Sequence, residues 1–406
     1  MSQHKRAIVL YLLMHQPYRV SPYNVFDIAN KHDYFEGAKD GDIRNNEFIL
    51  RKVADKSYAP TLKLFKEMVK HHPEFKLSLS VSGTLLEQLE KWRPDIIDMI
   101  RDLVQSGNCE IVAENYYHSL AFFYSRAEFE MQVNMHRNRM EEVFGVKPTA
   151  FRNTEMSYNN DLAYWADKQG YKAILSEGWE TTLAGRSPNF VYRPTYTNHI
   201  RLLTKNYQMS DDLAFRFGNK AWEGYPLTAK KYVDWANQAW DQPLINLFMD
   251  FETFGEHQWA DTGIFDFMKA LPGEWLKKDE HTFMTVTEAA THFDPVDQVD
   301  APNTTTWADN ERDLSAWTGN AMQNNAINAL YTLQDKVIAS KDLKLIDDWR
   351  RMQTSDHFYY MCTKWFTDGD VHAYFSPYES PYEAFITYMN AYHDLQYRIA
   401  EKGLDT

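Results

Sequence analysis

Short apolar runs recur through the first two-thirds of the chain, and longer segments with helical periodicity separate them. This alternation is the pattern of repeated βα units around a parallel sheet. Most of the runs are apolar at successive positions, as expected for strands that are covered on both faces. We predict seven strands, at Ala7–Met14, Phe75–Val81, Cys109–Ala113, Thr149–Arg152, Ala173–Ser176, Ile200–Thr204 and Leu244–Met249, with an eighth candidate near Thr282–Thr287.

Helical periodicity fills the segments between these runs and marks the last quarter of the chain. Within the first part, Ser125 can cap a helix that has Glu128 at its third position. The predicted helices are Tyr58–Lys70, Glu87–Gln105, Arg126–Phe144 and Asn160–Gln169, followed after about Asn303 by Arg312–Leu333 and Tyr382–Lys402.

Seven strands predict a barrel that is one unit short of the eight-stranded form. The predicted fold is therefore α/β, an incomplete (β/α)7 barrel followed by a helical C-terminal region. We place the barrel in residues 1–302 and the helical region, packed on the barrel, in residues 303–406. The polar stretch 295–306 contains Pro302 and suits a connector.

Charge and hydropathy disfavour several classes of partner. A net charge of −14, without a Lys/Arg stripe, would repel a phosphate backbone, so we expect no nucleic-acid partner. No stretch approaches the roughly 18 apolar residues of a membrane span, and Ala7–Met14 lacks the features of a secretory signal, so we expect a cytoplasmic protein without a membrane partner. Cys109 and Cys362 have no CxxC or Cys/His spacing, and we expect neither a disulfide, a metal nor a cofactor.

Titratable residues collect where the predicted strands end. In a βα barrel the loops at the carboxyl ends of the strands converge over the active site. A glycosidase needs two carboxyl groups there, one protonated and one ionised, and the fourth and seventh strands can supply Glu155 and Asp250. The strand-end residues are His15 after the first strand, Glu114 and His118 after the third, Glu155 after the fourth, and Asp250 with Glu252 after the seventh.

Five sequence blocks support the interpretation as a glycosidase, because together they resemble a known family. The blocks are His15-Gln16-Pro17-Tyr18, CEIVAENYYH from Cys109 to His118, FRNTE from Phe151 to Glu155, FMDFETFGEH from Phe248 to His257, and SDHFYYM from Ser355 to Met361. Together, and in this order, they resemble the conserved blocks of glycoside hydrolase family 57. The resemblance extends from residue 15 to residue 361.

The resemblance implies an incomplete (β/α)7 barrel followed by a helical region, and retaining cleavage of α-glycosidic bonds. By match to the third block Glu155 is the nucleophile, and by match to the fourth Asp250 is the general acid/base. The stretches 210–217 and 311–320 look like the α-amylase group of the family, which implies α-1,4-glucosidic bonds of α-glucans or maltooligosaccharides. A 4-α-glucanotransferase or another α-glycosidase of the family stays open.

Further residues are candidates for holding the sugar or tuning the two carboxyl groups. Arg152 or His15 could keep Glu155 ionised, while Glu252 is either a rival acid/base or the like charge that raises the pKa of Asp250. Each tryptophan can stack on a sugar ring or fill the core. The candidate substrate-binding residues are His15, Glu114, His118, Arg152, Trp222, Glu252, His257, Trp317 and Asp356, with Trp365 as another stacking candidate.

Two alternatives belong to other functional classes. One is a metal-dependent barrel, such as a polysaccharide deacetylase or a zinc α-mannosidase, with His15, Asp250 and His257 as ligands. Gln16 in the first motif, and the apparent lack of a second ligand close to any strand-end histidine, disfavour it. The other is a non-catalytic glucan-binding protein, which the presence of both Glu155 and Asp250 disfavours.

Overall fold

The computed structural model describes residues 6–364 and 371–404. Its strands are β1 (Arg6–Met14), β2 (Leu77–Val81), β3 (Cys109–Ile111), β4 (Ala150–Phe151), β5 (Ala173–Glu177), β6 (Val191–Pro194), β7 (Arg201–Lys205), β8 (Leu244–Asp250), β9 (His281–Phe283) and β10 (Gln298–Val299). All seven predicted strands are confirmed, while the sequence did not predict β6 and β10.

Helices follow most of the strands and then make up the C-terminal part of the chain. The first group comprises α1 (Asn46–Val53), α2 (Ala59–His71), α3 (Gly83–Trp92), α4 (Pro94–Gln105), α5 (Arg126–Phe144), α6 (Asn160–Lys168), α7 (Glu180–Leu183), α8 (Tyr207–Asp211), α9 (Ala229–Ala236), α10 (Ile264–Trp275) and α11 (Val286–His292). The C-terminal group comprises α12 (Ser315–Thr318), α13 (Ala321–Thr332), α14 (Gln334–Ser340), α15 (Leu343–Arg351), α16 (Ser355–Tyr359), α17 (Val371–Phe375) and α18 (Pro381–Ala400).

The seven predicted strands follow one another in parallel. One sheet has the order β3-β2-β1-β8, and the other contains β7-β5-β4. A parallel bridge between Ala113 and Phe151 joins β3 to β4, so the order is β8-β1-β2-β3-β4-β5-β7. Strand β1 is buried along its whole length, and its Leu12 lies between Leu79 and Met249. A strand with neighbours on both sides and helices outside has no polar face, which explains its apolar sequence.

Three predicted boundaries are wrong for local reasons. The predicted helix Glu87–Gln105 is two helices, because Arg93 precedes Pro94 and has a non-helical backbone (φ −145°, ψ 58°). The eighth strand candidate ends early, because Thr285 caps α11. The predicted helix Arg312–Leu333 begins as a loop and is broken before Asn320, which caps α13.

The other helix predictions are confirmed to within two residues at each end, and Ser125 caps α5 as expected. The stacking candidate Trp365 lies outside the described residues.

The C-terminal helices have a core of their own, in which Trp317 and Trp349 are buried. Tyr18, Tyr34 and Phe35, from the loop after β1, are buried in this same core. The helical region therefore packs on the loop that starts at the carboxyl end of β1. Among the described residues, no helix is long and apolar enough to cross a membrane.

Candidate active site

A cavity of about 620 Å³ lies at the carboxyl ends of β1, β4, β7 and β8. Both predicted catalytic carboxyl groups, Glu155 and Asp250, line it. The other predicted residues that line the cavity are His15, His118, Glu252, His257, Trp317 and Asp356. Three predicted residues, Glu114, Arg152 and Trp222, lie outside the cavity lining.

Glu155 reaches the cavity from a strained turn. Strand β4 ends at Phe151, and Glu155 lies in a single 3-10 turn, Thr154–Met156, with φ 58° and ψ 25°. This left-handed conformation costs a residue other than glycine about 1 to 3 kcal/mol and persists where the surroundings hold it. Such strain is frequent at functional sites.

Two hydrogen bonds and one cation surround the Glu155 carboxylate. Ser355 Oγ donates to Oε1 at 2.8 Å, and the indole Nε1 of Trp307 donates to Oε2 at 2.9 Å. His118 Nε2 lies 3.6 Å from Oε1. Burial alone would raise the pKa of Glu155, but His118 and then Arg152 outweigh burial, so the pKa lies below its ordinary value. Glu155 is therefore held ionised.

His118 carries the positive charge beside Glu155. Its Nδ1 lies 3.0 Å from Glu114 Oε2, and its ring stacks on His15 with centroids 3.9 Å apart. Burial would lower the pKa of His118, but hydrogen bonding to Glu114 and Glu155 raises it to about 9. Glu114, itself fully buried, thus acts on Glu155 through His118.

Arg152 lies behind the cavity wall. It is fully buried, with its guanidinium carbon 4.7 Å from the ring centroid of Trp307 and Nη1 3.9 Å from Glu114 Oε2. The prediction that Arg152 helps to ionise Glu155 agrees with the direction of the pKa shift, because its charge lowers the pKa of Glu155.

His15 bridges the first strand to the C-terminal region. Its Nδ1 lies 2.7 Å from Ser82 Oγ and its Nε2 lies 3.0 Å from Asp356 Oδ2. Burial, and then the charge on His118, lower the pKa of His15. Burial would raise the pKa of Asp356, yet His15 and His118 hold it well below its ordinary range.

His15, His118 and Asp356 form a cluster of potential metal ligands. The ligand atoms of His15, His118 and Asp356 lie within 4.8 Å of one another and could hold a metal ion. The expectation that no strand-end histidine has a close second ligand is therefore wrong. The error arose because Asp356 is distant in sequence and comes close to His15 only through packing of the helical region.

Asp250 experiences the opposite electrostatics from Glu155. It ends β8 between Met249 and Phe251, which are both buried. Burial raises the pKa of Asp250, His257 and Arg152 oppose this, and the negative charge of Glu155 adds to it, so the pKa lies above its ordinary value. Two carboxyl groups whose pKa values are displaced in opposite directions are the arrangement of an acid and a nucleophile.

Glu252 is held in the wall beside Asp250. Tyr58 donates a hydrogen bond to its Oε1, and Gln16 Nε2 lies 3.5 Å from the same atom. Burial and then the charge of Asp250 raise the pKa of Glu252 to about 8, so it is largely neutral at pH 7. His257 has a pKa lowered by burial, and its ring meets the edge of Phe375 at 5.4 Å.

The tryptophans have different surroundings. Trp317 is only 1% exposed, lines the cavity and belongs to the C-terminal core. Trp222 packs edge to face on Trp235, with centroids 5.9 Å apart. Core packing therefore accounts for Trp222, and Trp317, although it lines the cavity, exposes almost none of its ring there.

Sequence reasoning missed Trp307, Ser355, Lys205 and Arg312. Ser355 could have been found, because it opens the fifth motif directly before Asp356. Lys205 ends β7 and lines the cavity, which the strand-end rule could have detected. Trp307 lies in the loop between β10 and α12, and Arg312, which the sequence predicts as the start of a helix, lies in the same loop.

Comparison with known proteins agrees with the five motifs. The family model for glycosyl hydrolase family 57 matches residues 9–302. A protein of Methanocaldococcus jannaschii, whose alpha-amylase name is provisional, is 37% identical over 399 residues, which is 96% of this chain and 84% of the relative.

Solved structures with low sequence identity share the fold. A GH57-type branching enzyme from Pyrococcus horikoshii has a TM-score of 0.67 at 14% identity, over 91% of this chain and 87% of the enzyme. A 4-alpha-glucanotransferase from Thermococcus litoralis has a TM-score of 0.64 at 16% identity, over 87% of this chain. This chain covers 56% of that second protein. The family model and the relative from Methanocaldococcus jannaschii show that the chain belongs to glycosyl hydrolase family 57.

Proposed function

We propose that the protein cleaves α-1,4-glucosidic bonds of α-glucans or maltooligosaccharides by a retaining mechanism, with Glu155 as the nucleophile and Asp250 as the general acid/base. The observation that carries this proposal is the opposite displacement of the two pKa values in one cavity. Relatives named alpha-amylase and 4-alpha-glucanotransferase support the substrate class.

The mechanism has two displacements. In the first, a Glu155 carboxylate oxygen bonds to the anomeric carbon, the bond to the glycosidic oxygen breaks, and Asp250 gives its proton to that oxygen. In the second, Asp250 takes a proton from water, the water oxygen bonds to the anomeric carbon, and the ester bond to Glu155 breaks. A sugar hydroxyl in place of water makes the reaction a transfer.

Other residues would bind and orient the sugar. His15, Asp356 and His257 line the cavity beside the two carboxyl groups and offer donors and acceptors for hydroxyl groups. Glu252, whose pKa burial and then Asp250 raise to about 8, stays the rival general acid/base, and Asp250 is preferred because the match to the fourth motif selects it. Trp317 stays a stacking candidate in the cavity wall, but with 1% of its surface exposed it offers little ring area to a sugar.

The finer features of the fold belong to the same proposal. The strand order supports an incomplete (β/α)7 barrel in residues 1–302, with the helical region in residues 303–406. A cytoplasmic location and the lack of a nucleic-acid partner stay predictions from the sequence.

Product analysis tests this function. The native protein and the Glu130→Gln variant, which changes an exposed glutamate, should both shorten maltooligosaccharides and release the α-anomer first. Longer products beside the shorter ones would mean transfer. If no α-glucan or other α-glycoside is cleaved while a glucan still binds, the protein is a glucan-binding protein and the proposal is wrong.

The alternative function is a metal-dependent hydrolase, because His15, His118 and Asp356 could hold a metal ion. Both ring nitrogens of His118 already face carboxylates, and its pKa of about 9 means that a metal would have to displace a proton at pH 7. We expect prolonged chelation to leave turnover unchanged. Loss of turnover on chelation, with recovery on adding zinc, would favour the metal-dependent hydrolase.

A further inference from the structure

Trp307 binds Glu155 at two points, with its backbone and with its side chain. The Trp307 backbone N–H donates to the carbonyl oxygen of Glu155 at 3.3 Å, and the indole Nε1 donates to Oε2 at 2.9 Å. Just beside this contact, Tyr158 and Thr305 exchange a pair of backbone hydrogen bonds of 2.9 Å each. The segment that carries Trp307 is therefore fixed along the strained turn that carries Glu155.

Cations flank the indole ring. The Arg152 guanidinium carbon lies 4.7 Å and Lys205 Nζ 5.7 Å from the Trp307 ring centroid. No hydrogen-bond partner for the Arg152 guanidinium nitrogens is found among the described residues, so its charge acts mainly on Trp307, Glu114 and the nearby carboxylates. Positive charge over an indole ring polarises its N–H outward and makes it a stronger donor.

The loop after Trp307 is closed on itself. Arg312 Nη1 donates to the carbonyl oxygen of Trp307 at 2.9 Å, and the backbone N–H of Thr306 donates to the carbonyl oxygen of Arg312 at 2.9 Å. The backbone of the loop is thus held on both sides of Trp307, and the indole N–H itself is held by Glu155. A donor fixed in this way loses little entropy when it hydrogen-bonds the carboxylate.

We propose that Trp307 is a positioning residue for the reaction and acts through Glu155. It fixes the left-handed backbone and the side chain of the nucleophile, and its N–H stabilises the carboxylate charge. That charge disappears when the glycosyl ester forms and returns when the ester breaks, so the donor favours release of the sugar in the second displacement. The inference rests on the proposed function of Glu155.

A Trp307→Phe variant tests this role, because it keeps an aromatic ring and removes the donor. We expect kcat to fall about 10- to 100-fold, because the second displacement loses a hydrogen bond to the returning carboxylate charge, whereas kcat/KM at the pH optimum, which reports the first displacement, should fall by less. The acidic limb of the pH profile should move up by about one pH unit, since Glu155 becomes easier to protonate. Mass spectrometry of quenched reactions should show a larger fraction of glycosyl-enzyme.

Trp165→Phe is the matched control. The half-buried Trp165 of α6 lies outside the cavity lining, and its indole Nε1 also donates to a carboxylate, Glu130 Oε1, at 3.1 Å. Its loss should leave the acidic limb in place. Replacing Trp307 by benzothienylalanine, in which sulfur stands for the N–H, separates the hydrogen bond from packing and decides the question if Trp307→Phe does not fold.

The outcomes are distinguishable from failure of the proposed function. If the native protein cleaves α-glucans and the benzothienylalanine variant keeps the native acidic limb and kcat, Trp307 is structural and this inference is wrong. A lower kcat with an unmoved acidic limb also contradicts it. If the native protein cleaves no α-glycoside, the proposed function itself fails.

Discussion

The surroundings of Glu155 and of Asp250 differ although both line one cavity. Around Glu155 are two hydrogen-bond donors, Ser355 and Trp307, and the charged His118. Asp250 lies between buried apolar residues. Its pKa lies above the ordinary value, whereas the pKa of Glu155 lies below it. The difference teaches that environment, rather than residue type, separates the proposed nucleophile Glu155 from the proposed acid Asp250.

Replacing the proposed nucleophile should have the largest effect. Glu155→Gln keeps the size of the side chain and removes the attacking carboxylate, so we expect kcat to fall by roughly 10⁴-fold or more. Initial-rate assays on maltooligosaccharides measure this, with Glu130→Gln as the control. A loss smaller than about tenfold would contradict the assignment of Glu155 as the covalent nucleophile.

Replacing the acid should have a smaller effect that depends on the leaving group. Asp250→Asn removes the proton donor, and we expect a fall of roughly 10²- to 10⁴-fold on maltooligosaccharides. An activated substrate such as a glucosyl fluoride needs less protonation and should lose less in the first displacement. The basic limb of the pH profile should disappear. If Glu252→Gln removes that limb and Asp250→Asn does not, Glu252 is the general acid/base and Asp250 is not.

Removing the charged His118 beside Glu155 should bring the pKa values of Glu155 and Asp250 closer together. His118→Gln removes a positive charge that lowers the pKa of Glu155 and, as a smaller contribution, that of Asp250. Both limbs should move to higher pH, the acidic limb by more, and kcat/KM at pH 6 should fall about 10- to 100-fold. An acidic limb that stays in place would show that His118 does not set the ionisation of Glu155.

The smallest effect concerns the loop that holds Trp307. His372 Nε2 lies 3.1 Å from Asp309 Oδ1 in that loop. Burial would lower the pKa of His372, but Asp309 raises it to about 9, against 6.5 for the ordinary side chain. A raised pKa means that this stabilisation is complete below pH 6.5 and is lost as pH rises through 9.

We therefore expect His372→Gln to lower Tm by about 1 to 3 °C at pH 6, and by less at pH 9.5. His393→Gln, at the exposed surface of α18, is the control and should give no such dependence on pH. Calorimetry from pH 6 to pH 9.5 measures both variants. A difference in Tm that grows with pH would have the wrong sign.

The sequence by itself determined the seven parallel strands and the two carboxyl groups at their ends. Strands such as β1 are buried on both faces, and this requirement leaves an unbroken apolar run that any reader of the chain can find. Parallel strands also bring their carboxyl ends to the same edge, so Glu155 and Asp250 could be expected in one cavity. The five motifs added the family, which the family model bears out.

Only the tertiary structure decided how the carboxyl groups are tuned. The donors to Glu155 come from Trp307 and Ser355, which are 152 and 200 residues away in sequence. Arg152 and Glu114 proved to lie behind the cavity wall rather than in it. Contacts of this kind depend on how the helical region packs against the strand ends. They leave no periodic signal in the chain, because a single side chain reaching across a domain has no repeat to detect.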